Sequence, residues 1–132
     1  MLYVDSSFWI AQVMERDSRA SDAARLAEVY EGESLATSNL VVGETWSFLR
    51  RREGHRRAML WLDRLRDAAR VSIERVTPEL EGEAWAWLRI HDERPYSFVD
   101  ATSFALMRRL GIRDALAFDG DFAAAGFTEL RP

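Results

Sequence analysis

Cysteine and lysine are both absent from the 132 residues, proline occurs three times and histidine twice. Without cysteine there are no disulfides, thiolate metal sites or cysteine nucleophiles, and a reducing compartment fits. The longest apolar runs are only a few residues, so no transmembrane helix is expected. Met1-Leu2-Tyr3-Val4-Asp5 lacks the basic stretch and long apolar run of a secretory leader. A cytoplasmic protein without a membrane partner is therefore the expectation. No Pro/Gly-rich linker, repeat or low-complexity tract interrupts the chain, so residues 1–132 are expected to form a single domain. Positive charge is also in deficit. The net charge of −4 argues against coating nucleic acid by bulk electrostatics. It leaves room for a nuclease, because an acidic metal pocket contributes negative charge of its own.

What is present is 48% hydrophobic and 30% charged, the balance of a folded globular chain. All 18 basic residues are arginine, whose planar fork suits phosphate. A GC-rich genome gives the same bias, and its spread over the whole chain favours that explanation. Short β-like runs alternate with helical patterns. Leu2–Val4 reads as a buried strand, Ser6–Met14 and Ser21–Tyr30 as helices, and Ser34–Thr37 as a second strand. Ser38 can cap a helix running to about Glu53, which Gly54 breaks; the next helix carries Met59, Leu62 and Leu65 on one face. Val71–Val76 alternates as a strand, and Thr77-Pro78 opens a helix to about Asp92. Ser97–Leu110 is helical and stops at Gly111. Ala115–Phe118 is a strand, a short helix follows Asp121, and Phe127–Leu130 is the last strand. Strands separated by helices indicate an α/β fold, a mainly parallel sheet with helices on both faces. Ligand sites in such sheets lie beyond the carboxyl ends of the strands, where Asp5 and Asp119 stand.

Each candidate acid carries two readings. Asp5 leads into a helix as Asp5-Ser6-Ser7, which suits an N-cap as well as a site. Glu44 has Leu40, Val41 and Phe48 at i−4, i−3 and i+4, so it lies on or beside the apolar stripe of its helix. There it either reaches solvent at the stripe edge or needs a cation or donors, because an unpaired buried carboxylate is costly. Asp100, in Ser97-Phe98-Val99-Asp100, fits a capping box, yet shares a helical face with Phe104 and Met107. Asp119-Gly120-Asp121 is a common turn, and either acid can cap the helix that follows. Together, four acids can converge at one sheet edge. Two carboxylates about 4 Å apart repel by roughly 4 kcal/mol at an effective dielectric near 20. A divalent cation makes such a cluster tolerable, and all-oxygen donors select hard ions, Mg²⁺ or Mn²⁺. A phosphoryl-transfer fold of the HAD or receiver kind also places an aspartate after its first strand. Ser7 stands where the HAD pattern has a second aspartate, and no lysine partner exists.

In these residues the sequence resembles a PIN domain, specifically the VapC toxins of bacterial type II toxin–antitoxin modules. The resemblance runs almost the whole length, on Asp5-Ser6-Ser7, Thr37-Ser38 leading to Glu44, Ser97-Phe98-Val99-Asp100-Ala101, Phe118-Asp119-x-Asp121-Phe122 and Gly126-Phe127. It implies a three-layer α/β/α sandwich whose five-stranded parallel sheet has the order 3-2-1-4-5. It also implies a Mg²⁺-dependent endoribonuclease leaving a 5′-phosphate, with Asp5 and Asp100 as principal metal ligands and Glu44 and Asp119 completing the pocket. Ser7 matches a small polar position that holds metal-bound water or substrate phosphate. The site role goes to Asp119, directly after the strand, and a helix-cap role to Asp121. The implied partners are RNA, a VapB-like antitoxin and a second copy of the chain.

Arg50 and Arg51 head the densest basic stretch, Arg50-Arg51-Arg52 and Arg56-Arg57 around His55. They read either as a phosphate-contacting patch or as a helix end whose dipole favours positive charge. Trp85 and Trp87, two apart on a helix, cannot point the same way, so one reaches a surface or an interface. A non-catalytic PIN-fold binding module and a PIN nuclease of RNA maturation are the alternative functions. The module's signature is loss of one or more acids, whereas every acid of the pattern is present.

Overall fold

The computed structural model describes residues 1–132. Five strands, β1 (Leu2–Val4), β2 (Leu35–Ser38), β3 (Val71–Glu74), β4 (Asp114–Leu116) and β5 (Thr128–Glu129), pair in the order β3-β2-β1-β4-β5, every pair parallel. This is the order implied by the family resemblance. Seven helices connect and cover them: α1 (Ser6–Val13), α2 (Ala20–Val29), α3 (Asn39–Glu53), α4 (His55–Asp67), α5 (Pro78–Ile90), α6 (Phe98–Leu110) and α7 (Asp121–Ala124). None is long and apolar enough to cross a membrane.

The layering follows from strand alternation. Leu2, Val4, Leu35 and Leu116 project to one face and pack with Phe8, Trp9, Leu26 and Trp61 from α1–α4. Tyr3, Ala36, Ala115 and Ala117 project to the other and pack with Leu80, Phe104, Met107 and Phe122 from α5–α7. β1 is buried on both faces, as its run of apolar residues requires.

The helix starts follow the sequence closely. Ser38 Oγ accepts from Val41 N–H at 3.0 Å, and Thr77 Oγ1 from Leu80 N–H at 3.3 Å. β3, β4 and β5 are shorter than the sequence pattern suggests, and hydrogen bonding explains the ends of β3 and β4. Val76 N–H donates to Asn39 Oδ1 at 2.8 Å instead of to the ladder, so β3 ends at Glu74 and Val76 joins the far core. Phe118 N–H donates to Ser7 Oγ at 3.0 Å, which takes the chain out of the sheet after Leu116. In α4 the buried face is Ala58, Trp61 and Leu65, with Met59 and Leu62 only partly covered. Trp85 is the exposed member of its pair and stacks on Phe98 at 4.3 Å, while half-buried Trp87 packs on Tyr96 and Phe104.

Candidate active site

The edge of the sheet at the carboxyl ends of β1 and β4 collects acids from four separate segments. Asp5 follows β1 and caps α1. Its Oδ2 accepts from Ser7 N–H at 3.2 Å and from the Ser7 hydroxyl at 2.7 Å, and the residue is 2% exposed. The cap and site readings are thus compatible, since the capping bonds hold the carboxylate in place. Ser7 Oγ also takes the Phe118 amide, tying the exits of β1 and β4 together.

Asp100 behaves in the same way on α6. Its Oδ2 accepts from Ser97 N–H at 3.0 Å, Ser97 Oγ accepts from Asp100 N–H at 2.9 Å, and the capping box is complete. Asp119 follows β4, and its Oδ1 accepts from Asp121 N–H at 3.1 Å. One carboxylate oxygen from each of Asp5, Asp100 and Asp119 lies within 4.8 Å of the other two. None of the three carboxylates takes part in an ion pair.

The electrostatic consequence is plain. Burial, then the charge of Asp119, pushes Asp5 up to about 8, against the hydrogen bonds of Ser7 that oppose the shift. Asp119, an exposed residue, is pushed up to about 6, first by partial desolvation of its carboxyl, which the Asp121 amide opposes, and further by Asp100, Asp121 and Glu129. Asp100 is raised by burial and by the neighbouring charge of Asp121, against the opposing hydrogen bonds of Ser97. Glu44 stands apart from this trio. The residue is exposed, yet desolvation by the protein on one side raises its carboxyl, opposed by the nearby Ser6 hydroxyl and reinforced by the charge of Asp100.

One expectation is corrected. Asp121 does not cap α7. Gly120 adopts a left-handed conformation (φ 83°), which folds the Asp119 side chain back over the Asp121 amide. The Asp121 carboxylate instead accepts from Arg94 Nε at 2.9 Å. Arg50 and Arg51 lie in the last turn of α3, exposed. At 1.5 Å per residue Arg50 is roughly 9 Å along the axis from Glu44, toward the end remote from the cluster, where the helix dipole favours positive charge.

Arg94 was not visible in the sequence. It comes from the irregular α5–α6 connection, pairs with Asp121 and donates through Nη2 to the Asp119 carbonyl at 3.3 Å. Glu129 was missed too. Its carboxylate takes the Gly120 amide at 3.2 Å and the Ala123 amide at 3.0 Å and pairs with Arg131, bracing the same turn from β5. Arg94 acts on a turn 27 residues away and Glu129 on one six to nine residues back, and no motif of either segment announces the contact.

A divalent cation fits this donor set. Three mutually repelling carboxylates, hard oxygen donors without a protein cation on them, are what such an ion relieves.

Comparison with known proteins agrees with the geometry. The PIN domain family model matches residues 2–128. The 23S rRNA-specific endonuclease VapC20 of Mycobacterium tuberculosis, in strains CDC 1551 / Oshkosh and ATCC 25618 / H37Rv, is 53% identical over 132 residues, covering 100% of this chain and 99% of the relative. The crystal structure of Mycobacterium tuberculosis VapC20, described as a sarcin-ricin loop cleaving toxin, superposes with a TM-score of 0.93 at 51% identity, covering 100% of both chains. With the acids of its first, third and fourth motifs gathered at one sheet edge, the chain belongs to the PIN-domain family.

Proposed function

We propose that this protein is a metal-dependent endoribonuclease, one PIN domain over residues 1–132, acting as the toxin of a VapBC pair. The observation that carries the reading is the unpaired cluster of Asp5, Asp100 and Asp119 at the carboxyl edge of the sheet. These three would hold the cation, with Mg²⁺ as the resident ion and Mn²⁺ as a substitute. A divalent ion supplies a nucleophilic water at neutral pH and stabilises charge on a phosphate oxygen. Glu44, beside the trio with its carboxyl raised, would take a proton from the attacking water. Ser7 fixes Asp5, and Asp121 with Arg94 fixes the turn that carries Asp119.

The partners follow from the same assignment. A cavity of about 210 Å³ between α1, α2 and α4, walled by Phe8, Trp9, Leu26, Tyr30, Trp61 and Leu65, suits an apolar segment of a VapB-like antitoxin. Exposed Trp85, stacked on Phe98, supports a homodimer contact on α5. The expected location is the cytoplasm.

Because the relatives are named for 23S rRNA, that molecule is the first substrate to test. Purified protein with Mg²⁺ or Mn²⁺ is expected to cut 23S rRNA at discrete positions. Cleavage should stop in EDTA and fall at least about 100-fold in Asp5→Asn and Asp100→Asn. Full cleavage by both variants in a clean preparation would refute the assignment.

A further inference from the structure

Between α3, α4 and the edge strand β3 lies a second cavity, of about 540 Å³, within the range of roughly 300–1,000 Å³ that small-molecule sites occupy. Val42, Trp46, Leu62 and Ile73 supply the apolar half of its lining, and Arg66 and Arg75 stand among the polar half. Both arginines are exposed and neither takes part in an ion pair. Trp46 Nε1 is a buried donor without a protein acceptor. An aromatic wall for stacking, beside guanidinium groups whose forks match phosphate, is the combination that binds single-stranded nucleic acid.

The cavity reaches the same edge of the sheet as the acidic cluster. Arg75 lies immediately after β3 and Asn39 immediately after β2, at the same carboxyl edge as Asp5 and Asp119. In the order β3-β2-β1, β3 is two strand spacings from β1, roughly 10 Å. Glu44 bridges the interval on α3, since its neighbours Gly43 and Ser47 line the cavity.

We propose that this cavity is a subsite for the RNA strand flanking the scissile bond. One base lies against Trp46 and Ile73, and adjacent phosphates lie on Arg66 and Arg75. The inference rests on the ribonuclease reading and adds to it where the strand runs: from the β1–β4 cluster across α3 toward the β3 edge.

The test compares the parent with Arg66→Gln/Arg75→Gln, whose exposed side chains carry no structural contact that folding needs; a thermal melt checks this. Binding of a synthetic RNA copied from the 23S rRNA sarcin-ricin loop is measured in EDTA, where nothing is cut, at 50 and 200 mM NaCl. Losing two phosphate contacts is expected to lower the salt slope by about 1.4, at about 0.7 per contact, so the parent loses roughly sevenfold more affinity than the variant over that interval. Arg66→Lys/Arg75→Lys should keep the parent slope, since it keeps the charge. Trp46→Phe, which keeps a ring but not the N–H, should weaken binding at both salt concentrations equally.

Unchanged affinity and slope in the Gln variant, with the parent still cutting 23S rRNA, overturns the subsite and leaves the nuclease standing. Neither binding nor cleavage by the parent overturns both. Unchanged RNA binding with an altered sedimentation coefficient assigns this face to a second copy of the chain and overturns the subsite.

Discussion

At the scale of single residues, the site is a set of charges that folding forces together and then leaves uncompensated. Asp5 is raised from 3.8 to about 8 and Asp119 to about 6, so between pH 4 and 8 the metal-free folded state binds protons that the unfolded chain has already released. The contribution of these groups is therefore most favourable at the low end of that interval and is lost as pH rises through about 6 and then about 8. The melting temperature of the metal-free protein is expected to fall from pH 5 to 8, and Asp5→Asn, which can still cap α1, should flatten most of the decline. Thermal denaturation across that range checks it; equal slopes for parent and variant would show that Asp5 is not the group involved. Added Mn²⁺ should restore stability most at the alkaline end, where the ligands are already deprotonated.

Elements do the positioning, through bonds normally regarded as local structure. Asp5 caps α1, Asp100 closes a capping box on α6, and Asp119 holds the first amide of α7; each keeps an oxygen for the shared site. This is why each acid, taken alone in the sequence, read equally well as a cap. The two readings were never rivals, because a carboxylate has more acceptor capacity than one amide uses. Removing the partner in one box tests the dual use. Ser97→Ala is expected to cost about 1 kcal/mol of stability in urea. It should also weaken Mn²⁺ binding by calorimetry several-fold, because the first turn of α6 that carries Asp100 loosens when its amide loses the Ser97 hydroxyl, although the Ser97 amide still donates to the Asp100 carboxylate. A stability loss with unchanged metal affinity would confine Ser97 to capping.

At the scale of the whole molecule, the parallel sheet brings the two halves of the site together. β1 lies between β2 and β4, so Asp5 from the start of the chain meets Asp119 from its end, and α6 returns Asp100 to the same edge. The edge is only as rigid as the core beneath it. Leu116 is 2% exposed and packs under the β4 exit with β1 and α1. Leu116→Ala is expected to cost about 2–5 kcal/mol. Urea unfolding measures this loss, and a change below 1 kcal/mol would mean the sheet centre tolerates a cavity.

Local chemistry and periodicity in the chain alone determined the α/β class, most helix starts and the candidacy of Asp5, Glu44, Asp100 and Asp119. Each of those signals needs only neighbours within one helical turn or one strand. Strand ends at Glu74 and Leu116 were not legible, because Asn39 and Ser7 take the amides of Val76 and Phe118 across 37 and 111 residues. The pairing of Arg94 with Asp121 across 27 residues was likewise decided by tertiary structure. The physical reason is common to all of them. Hydrogen bonds and charge pairs between distant segments depend on which loops the sheet order places side by side, and nothing in the local sequence of either segment specifies that order.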